Sequence, residues 1–201
     1  MSEIGLRERK KQRMYETVSE IAIRLFLEKG FDAVSVAEIA AAAEISKPTL
    51  FRYFPAKEDL VLHRIADHEG EAARVVAGGP TPLAALRRCF LDGLERGDPV
   101  TGLNDHPQVL AFHTLLYGTP ALVARAHAHL ERSEAALAEA LGGGLEARLA
   151  AGQIIAVQRI LAMENWRRIA EGERVEGVRP DAVAAAERAF EVLAAGLPHL
   201  A

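Results

Sequence analysis

The sequence predicts an all-α protein of about nine helices. Half of its 201 residues are hydrophobic, with Ala and Leu prominent over the β-branched types that favour strands. Apolar positions recur three and four apart along most of the chain, and Gly or Pro separates one periodic stretch from the next. No solenoid-type repeat or low-complexity tract interrupts the pattern.

The first helix is expected from about Glu8 to Lys29, because Val18, Ile21, Ala22, Leu25 and Phe26 share a face and Gly30 stops it; its beginning is basic. Ser35 followed by Glu38 is a capping box, in which each residue satisfies a backbone N–H of the other, and a second short helix starts there. Ser46 caps a third, from about Lys47 to Tyr53, with Pro48 in its first turn, where a missing N–H costs nothing. Pro55 ends it by disfavouring helical geometry at Phe54. A long fourth helix is expected from Lys57 to about Ala77, before Gly78-Gly79-Pro80. Five more follow at roughly 82–96, 106–117, 120–141, 145–172 and 180–197.

The second and third helices, with a three-residue break between them, form a helix-turn-helix layout. Val36, Ile39, Ala40, Ile45 and Leu50 make its inner side. Lys47, Pro48, Thr49, Phe51 and Arg52 remain outside, clustered towards the start of the third helix. The major groove of DNA admits such a helix end-first: Lys or Arg donates to guanine O6 and N7, while Thr or Phe touches a thymine methyl. Tyr53 and Lys57 suit phosphate oxygens, and Ser35 and Ser46 cap helix ends that would face the duplex. The net charge of −4 names no partner by itself, but its distribution does. Ten Lys and Arg stand against eight Asp and Glu over residues 1–57, and fourteen against twenty beyond them, so nucleic-acid contact belongs to the N-terminal part.

The run "VSVAEIAAAAEISKPTLFRYFPAKEDLVLHRI" resembles the DNA-binding domain of the TetR family of one-component bacterial repressors. The likeness extends over about residues 9 to 62 and lies in the Ser cap, Ile-Ala, the small turn, Ile-Ser, Thr-Leu-Phe, Tyr-Phe and Lys-Glu-x-Leu. It implies a helix-turn-helix DNA-binding domain over residues 1–56 and a helical effector-binding and dimerisation domain over 57–201. It also implies a homodimer on a palindromic double-stranded operator, with a small-molecule effector that shifts the fourth helix and spreads the two reading heads. By family position, Lys47, Pro48, Thr49, Phe51 and Arg52 would meet bases, and Ser35, Tyr53 and Lys57 phosphates. Two residues depart from the pattern: Glu44 stands where the family often has Gly, and Phe51 where Tyr is commoner.

The second half carries weaker signals. It resembles TetR-type ligand domains in general, and "GLNDHPQVLAFHTLLYGTPALVARAHAHLERSEAAL" is faintly similar to the acyl-CoA-like subgroup. Phe90, Leu94, Phe112, His113, Leu116, Tyr117 and Trp166 are candidate walls of an effector cavity, although each also reads as ordinary core; Arg125 and Arg159 are candidates for the phosphates of a CoA-type ligand. In the stretch 145–172, Ile154, Ile155, Val157, Ile160, Leu161 and Met163 cover more than one face, and in 180–197 Val183, Ala186, Phe190, Leu193 and Leu197 line one. These two helices are the expected homodimer interface, forming an intermolecular four-helix bundle.

Cys89 is the lone cysteine, expected to be an inert buried thiol in a reducing cytoplasm. No apolar signal segment opens the chain and no stretch approaches the roughly 18 apolar residues of a membrane span, so a soluble cytoplasmic protein is expected. His127 and His129 point to opposite sides of a helix, and no partner completes a metal site. Neither a Gly-x-Ser-x-Gly nor a phosphate-cradling loop occurs. No catalytic residue, metal or cofactor is therefore expected, and the chain reads as a regulator rather than an enzyme. The alternatives are an all-helical ligand-handling enzyme or carrier with a vestigial helix-turn-helix, and a non-specific nucleoid protein with salt-sensitive, sequence-blind binding.

Overall fold

Both serines that the sequence offers as helix starts cap helices in the structure. The computed structural model describes residues 3–66, 68–79 and 81–200, with residues 3, 4, 6–8, 64 and 66 described by their backbone alone. The order is α1 (Glu3–Lys29), α2 (Val36–Ala42), α3 (Lys47–Tyr53), α4 (Asp59–Ala66), α5 (Glu71–Val76), α6 (Pro82–Arg96), α7 (Pro107–Gly118), α8 (Pro120–Ala140), α9 (Gly144–Ala170) and α10 (Val175–Gly196). Short 3-10 turns occupy Pro99–Thr101 and Pro198–Leu200, and no strand occurs among the described residues.

Three boundaries correct the sequence reading. α1 begins at Glu3 rather than Glu8, and α10 begins at Val175, so Pro180 lies inside it. The expected long helix from Lys57 to Ala77 is two helices, which raises the count among the described residues from nine to ten. Residues 68–70 form a turn at the break, for two reasons. Gly70 costs a helix interior about 1 kcal/mol relative to Ala, and Glu69 is drawn sideways onto α8. Its carboxylate takes a bidentate pair from Arg132 at 2.9 and 3.0 Å and a hydrogen bond from His129. Arg132 foremost, then His129, holds that carboxyl below its ordinary range. Asp67 and Pro80, which the sequence placed in the long helix and its stop, lie outside the described residues.

The chain forms two compact units. The first is Met1–Asp67 with Ala111–Ala126. Its core joins Val18, Ala22 and Phe26 of α1 to Ile39, Leu50, Phe54, Leu60 and Leu62, together with Leu115, Leu116 and Leu122 from the mid-chain segment. Ser19, buried on α1, donates to the Leu60 carbonyl at 2.7 Å and fixes α1 against α4. Burial pushes His113, in the same unit, below the ordinary histidine value. An unfolded chain therefore takes up a proton near pH 6.5 that the folded chain refuses. Stability from this group is complete above that pH and is lost as pH falls below it. His113→Gln should flatten the decline in melting temperature between pH 7 and pH 5; an unchanged slope would assign the decline to other groups.

The second unit is His68–Leu110 with His127–Ala201. α10 lies against α6 and α9, burying Leu86, Phe90, Leu94, Ile154, Ala186, Phe190 and Leu193. Phe90 and Phe190 meet at 6.4 Å between ring centroids. The 3-10 turn locks onto α9, where Asn165 donates to the Thr101 carbonyl at 2.9 Å. Gly102, with φ 72°, leaves no room for a side chain, because a Cβ there would lie 1.9 Å from the Ala162 carbonyl oxygen.

Candidate nucleic-acid interface and ligand cavity

The turn between α2 and α3 shows how the sequence builds the motif. The Ser35 hydroxyl accepts from the Glu38 N–H at 3.2 Å, and Lys29, with the Ser35 N–H, holds the Glu38 carboxyl below its usual range. At the other end of α2 the Ile45 N–H reaches the Ala40 carbonyl (3.0 Å) and the Glu44 N–H the Ala41 carbonyl (3.1 Å). This paired helix stop requires a left-handed residue, usually glycine. Here it is Glu44, at φ 54°, alone among the described non-glycine residues in having positive φ. The conformation costs roughly 1–2 kcal/mol, partly offset because glycine has roughly 0.5–1 kcal/mol more chain entropy to lose on folding. Glu44→Gly should therefore raise stability by about 0.5–1 kcal/mol in urea melts, while Glu44→Ala, still strained, should not. Equal behaviour of the two variants would contradict the strain.

Beyond that turn, Ser46 caps α3: its hydroxyl accepts from the Thr49 N–H at 3.2 Å and lies 2.8 Å from the Thr49 hydroxyl. Leu50 and Phe54 are fully buried, whereas Val36 and Ile45 are half-buried against the same core. Anchored by these side chains, α3 exposes Lys47, Pro48, Phe51 and Arg52, with Thr49 half-buried. Phe51 is 48% exposed, a large apolar ring turned outward beside two cations. Tyr53 is half-buried, edge-on to Tyr15 of α1 at 5.1 Å, and carries the Arg52 guanidinium 5.4 Å from its ring centroid.

Lys57 is held differently from the rest of the expected DNA set. Its ammonium donates to the Phe31 carbonyl and lies over the rings of Phe31 (4.3 Å) and Phe26 (5.3 Å). It is half-buried and cements the loop before α2 to the loop before α4, a role the sequence did not signal.

The expected effector walls divide between the two units. Phe112, His113, Leu116 and Tyr117 belong to the first; Phe90, Leu94 and Trp166 belong to the second, where Phe90 and Leu94 are buried core. Arg125, a candidate for CoA phosphates, forms a bidentate pair with Asp59 at 2.9 and 3.1 Å, and Arg159 is exposed. A cavity of about 530 Å³ opens in the second unit beside α6, lined by Val75, Thr81, Arg88, Cys89, Asp92 and Arg96 among others. None of the seven expected wall residues lines it. Burial pushes the Cys89 thiol up, which disfavours its thiolate, and the side chain is half-buried at the cavity rather than enclosed as the sequence suggested. The spacing of Arg88, Asp92 and Arg96, four apart on one helix face, was the signal available for this lining.

Residues 20–63 match the family described as bacterial regulatory proteins, tetR family. The chain is 33% identical over 135 residues to the HTH-type transcriptional regulator TcmR of Streptomyces glaucescens, an alignment covering 65% of this chain. It spans 58% of the length of TcmR and smaller shares of the other curated relatives it matches. Among solved structures, NalD, the secondary repressor of the MexAB-OprM multidrug efflux pump in Pseudomonas aeruginosa, superposes with a TM-score of 0.57 at 16% identity, covering 90% of this chain and 97% of that one. The SmeT–triclosan complex superposes with a TM-score of 0.58 at 15% identity, covering 92% and 91%. At such identities the likeness to the solved structures is one of fold. No helix among the described residues is long and apolar enough to cross a membrane.

Proposed function

We propose that the chain, whose residues 20–63 match the bacterial regulatory proteins of the tetR family, is a cytoplasmic, homodimeric repressor that acts by binding rather than catalysis. It holds a palindromic operator and releases it when a small, partly apolar effector binds. The observation that carries this reading is the outward face of α3, where Lys47, Pro48, Phe51 and Arg52 are held out by the buried Leu50 and Phe54. The repressor NalD and the triclosan complex of SmeT support the repressor and effector parts by analogy. For release, the effector must bind the DNA-incompetent arrangement more tightly than the competent one, since only that difference shifts occupancy.

Dimerisation fits the exposed apolar residues of the last two long helices. Leu145, Leu149 and Ile160 are 70%, 58% and 57% exposed on α9, and Val192 is 73% exposed on α10. At 100° per residue the three α9 side chains fall within about 60° of one another, opposite the buried Ala147, Ala151 and Ile154. The residues expected at the interface from periodicity, Ala186, Phe190, Leu193 and Leu197, are instead core of their own unit, because α10 turns that face to α6 and α9.

The test is selection of duplexes from a random pool by the full chain, followed by Arg52→Ala. The wild type should enrich a two-fold symmetric site with half-sites about one helical turn apart. The variant should lose about 1–3 kcal/mol of discrimination at one position in each half-site. Unchanged selectivity would remove Arg52 from the reading set, and no enriched sequence would overturn the proposal.

A further inference from the structure

The cavity beside α6 holds charged groups that the fold does not use. It lies wholly within the second unit. Val75 of α5 and Ala85 and Cys89 of α6 are half-buried and supply apolar surface; Arg88, Asp92 and Arg96, all exposed, bring charge into it from successive turns of α6. The three charges are not equivalent. Arg96 lies 3.9 Å from the Asp98 carboxylate and acts on Glu71 as well, so neighbouring acids match it. Arg88 and Asp92 make no hydrogen bond or ion pair among the described residues, although they stand one turn apart on the same helix face. An acid one turn ahead of a base is the favoured order on a helix, and here the base comes first. Two opposite charges about 6 Å apart along the helix axis therefore stay open to an occupant.

The cavity is also polarised along α6. Burial first and then Glu71 push the Cys89 thiol up, Asp92 and Asp98 add to this, and Arg96 opposes them, so the part around Cys89 and Asp92 is acidic on balance. Arg88 lies one turn nearer the start of the helix, where no acid answers it. We propose that the cavity binds a small zwitterion, its carboxylate on Arg88 and its ammonium on Asp92, with an apolar remainder against Val75 and Ala85. Free α-amino acids are the simplest molecules of this class. A guanidinium grips a carboxylate through two parallel N–H donors, and a molecule that lacks either charge leaves one group of the site unpaired. That such a ligand is the effector rests on the regulatory reading above; its binding to the cavity does not.

Cys89 is the lone thiol of the sequence and lines the cavity, so its alkylation by iodoacetamide reports occupancy. The full chain is treated with the reagent in the presence of each common free amino acid in turn, cysteine excepted. The amino acid that protects best is then compared by calorimetry with its desamino acid and its decarboxylated amine. At least one amino acid should protect Cys89, and removing either of its charges should weaken binding roughly tenfold. Arg88→Gln should weaken the amino acid and the desamino acid and spare the amine; Asp92→Asn should weaken the amino acid and the amine and spare the desamino acid. Circular dichroism checks that both variants keep their helicity, and a merely structural effect would weaken all three probes alike. Absence of protection by any amino acid overturns the proposal. So does a desamino acid that binds as tightly as its parent, or variants that bind all three probes as the wild type does. Titrating the amino acid into the complex with a selected duplex separates the two readings. Binding in the expected pattern without release of the duplex upholds the zwitterion site and counts against the effector part of the regulatory reading. Release by a neutral molecule that leaves Cys89 unprotected, with no amino acid protecting it, does the reverse.

Discussion

Leu149→Glu combined with Val192→Glu should give a folded monomer that has lost at least about a hundredfold in operator affinity, since each protomer alone holds one half-site. Both side chains are more than half exposed within the subunit, so the subunit itself should change by no more than about 0.5 kcal/mol. Two carboxylates placed in an apolar, symmetric contact would face their copies across the two-fold axis, and each would be desolvated without a partner. Phe190→Asp, the variant that periodicity suggests for the same purpose, should behave differently. Phe190 is 2% exposed and packs on Phe90. Losing the ring costs about 3–5 kcal/mol, and a buried unpaired carboxylate adds to that, against a total stability of only about 5–15 kcal/mol. Sedimentation and circular dichroism separate the cases: the double variant should sediment as a helical monomer and Phe190→Asp should lose cooperative unfolding. A dimeric double variant would remove α9 and α10 from the interface, and a stable, folded Phe190→Asp would remove Phe190 from the core.

The second large effect is expected at Lys57. As a phosphate ligand alone, its loss would weaken DNA binding evenly and leave the fold untouched. The structure instead turns its ammonium inward. There it makes a charge-assisted hydrogen bond to the Phe31 carbonyl, worth about 1.5–3 kcal/mol, and lies over two aromatic rings, worth about 0.5–2 kcal/mol. Lys57→Ala should therefore destabilise the first unit by about 2–5 kcal/mol. Lys57→Met, which keeps the apolar stem against Phe26 and Phe31, should lose less. Urea melts measure both. If stability is unchanged while the salt slope of DNA binding flattens by about one, Lys57 is a phosphate ligand and its internal contacts are incidental.

The helix-turn-helix was legible because every signal in it is local. Ser35 and Ser46 bond N–H groups three residues away, the stop at Glu44 closes over six residues, and Leu50 and Phe54 are one helical turn apart. Cap, turn and periodicity therefore agree without any tertiary contact. Glu44 was marked only by the resemblance, as a residue standing where Gly is common, and its left-handed backbone is a finding of the structure. The second half of the chain lacked such signals. Apolar periodicity marks a buried face without saying what covers it, so Phe190 and Leu193 looked as suitable for a partner as for the subunit's own core.

From the amino-acid order alone came the helical class, the third helix with its exposed Lys47, Phe51 and Arg52, and the concentration of positive charge at the N-terminal end. Tertiary structure alone decided that the expected fourth helix breaks at 68–70, that residues 111–126 join the first unit, that Lys57 turns inward, and which side of α10 faces the core. The division follows the range of the interactions. Hydrogen bonds that start and stop helices close within a few residues, so the sequence records them. The partners that draw Glu69 out of line, His129 and Arg132, lie sixty and sixty-three positions away, and only the folded chain brings them within reach.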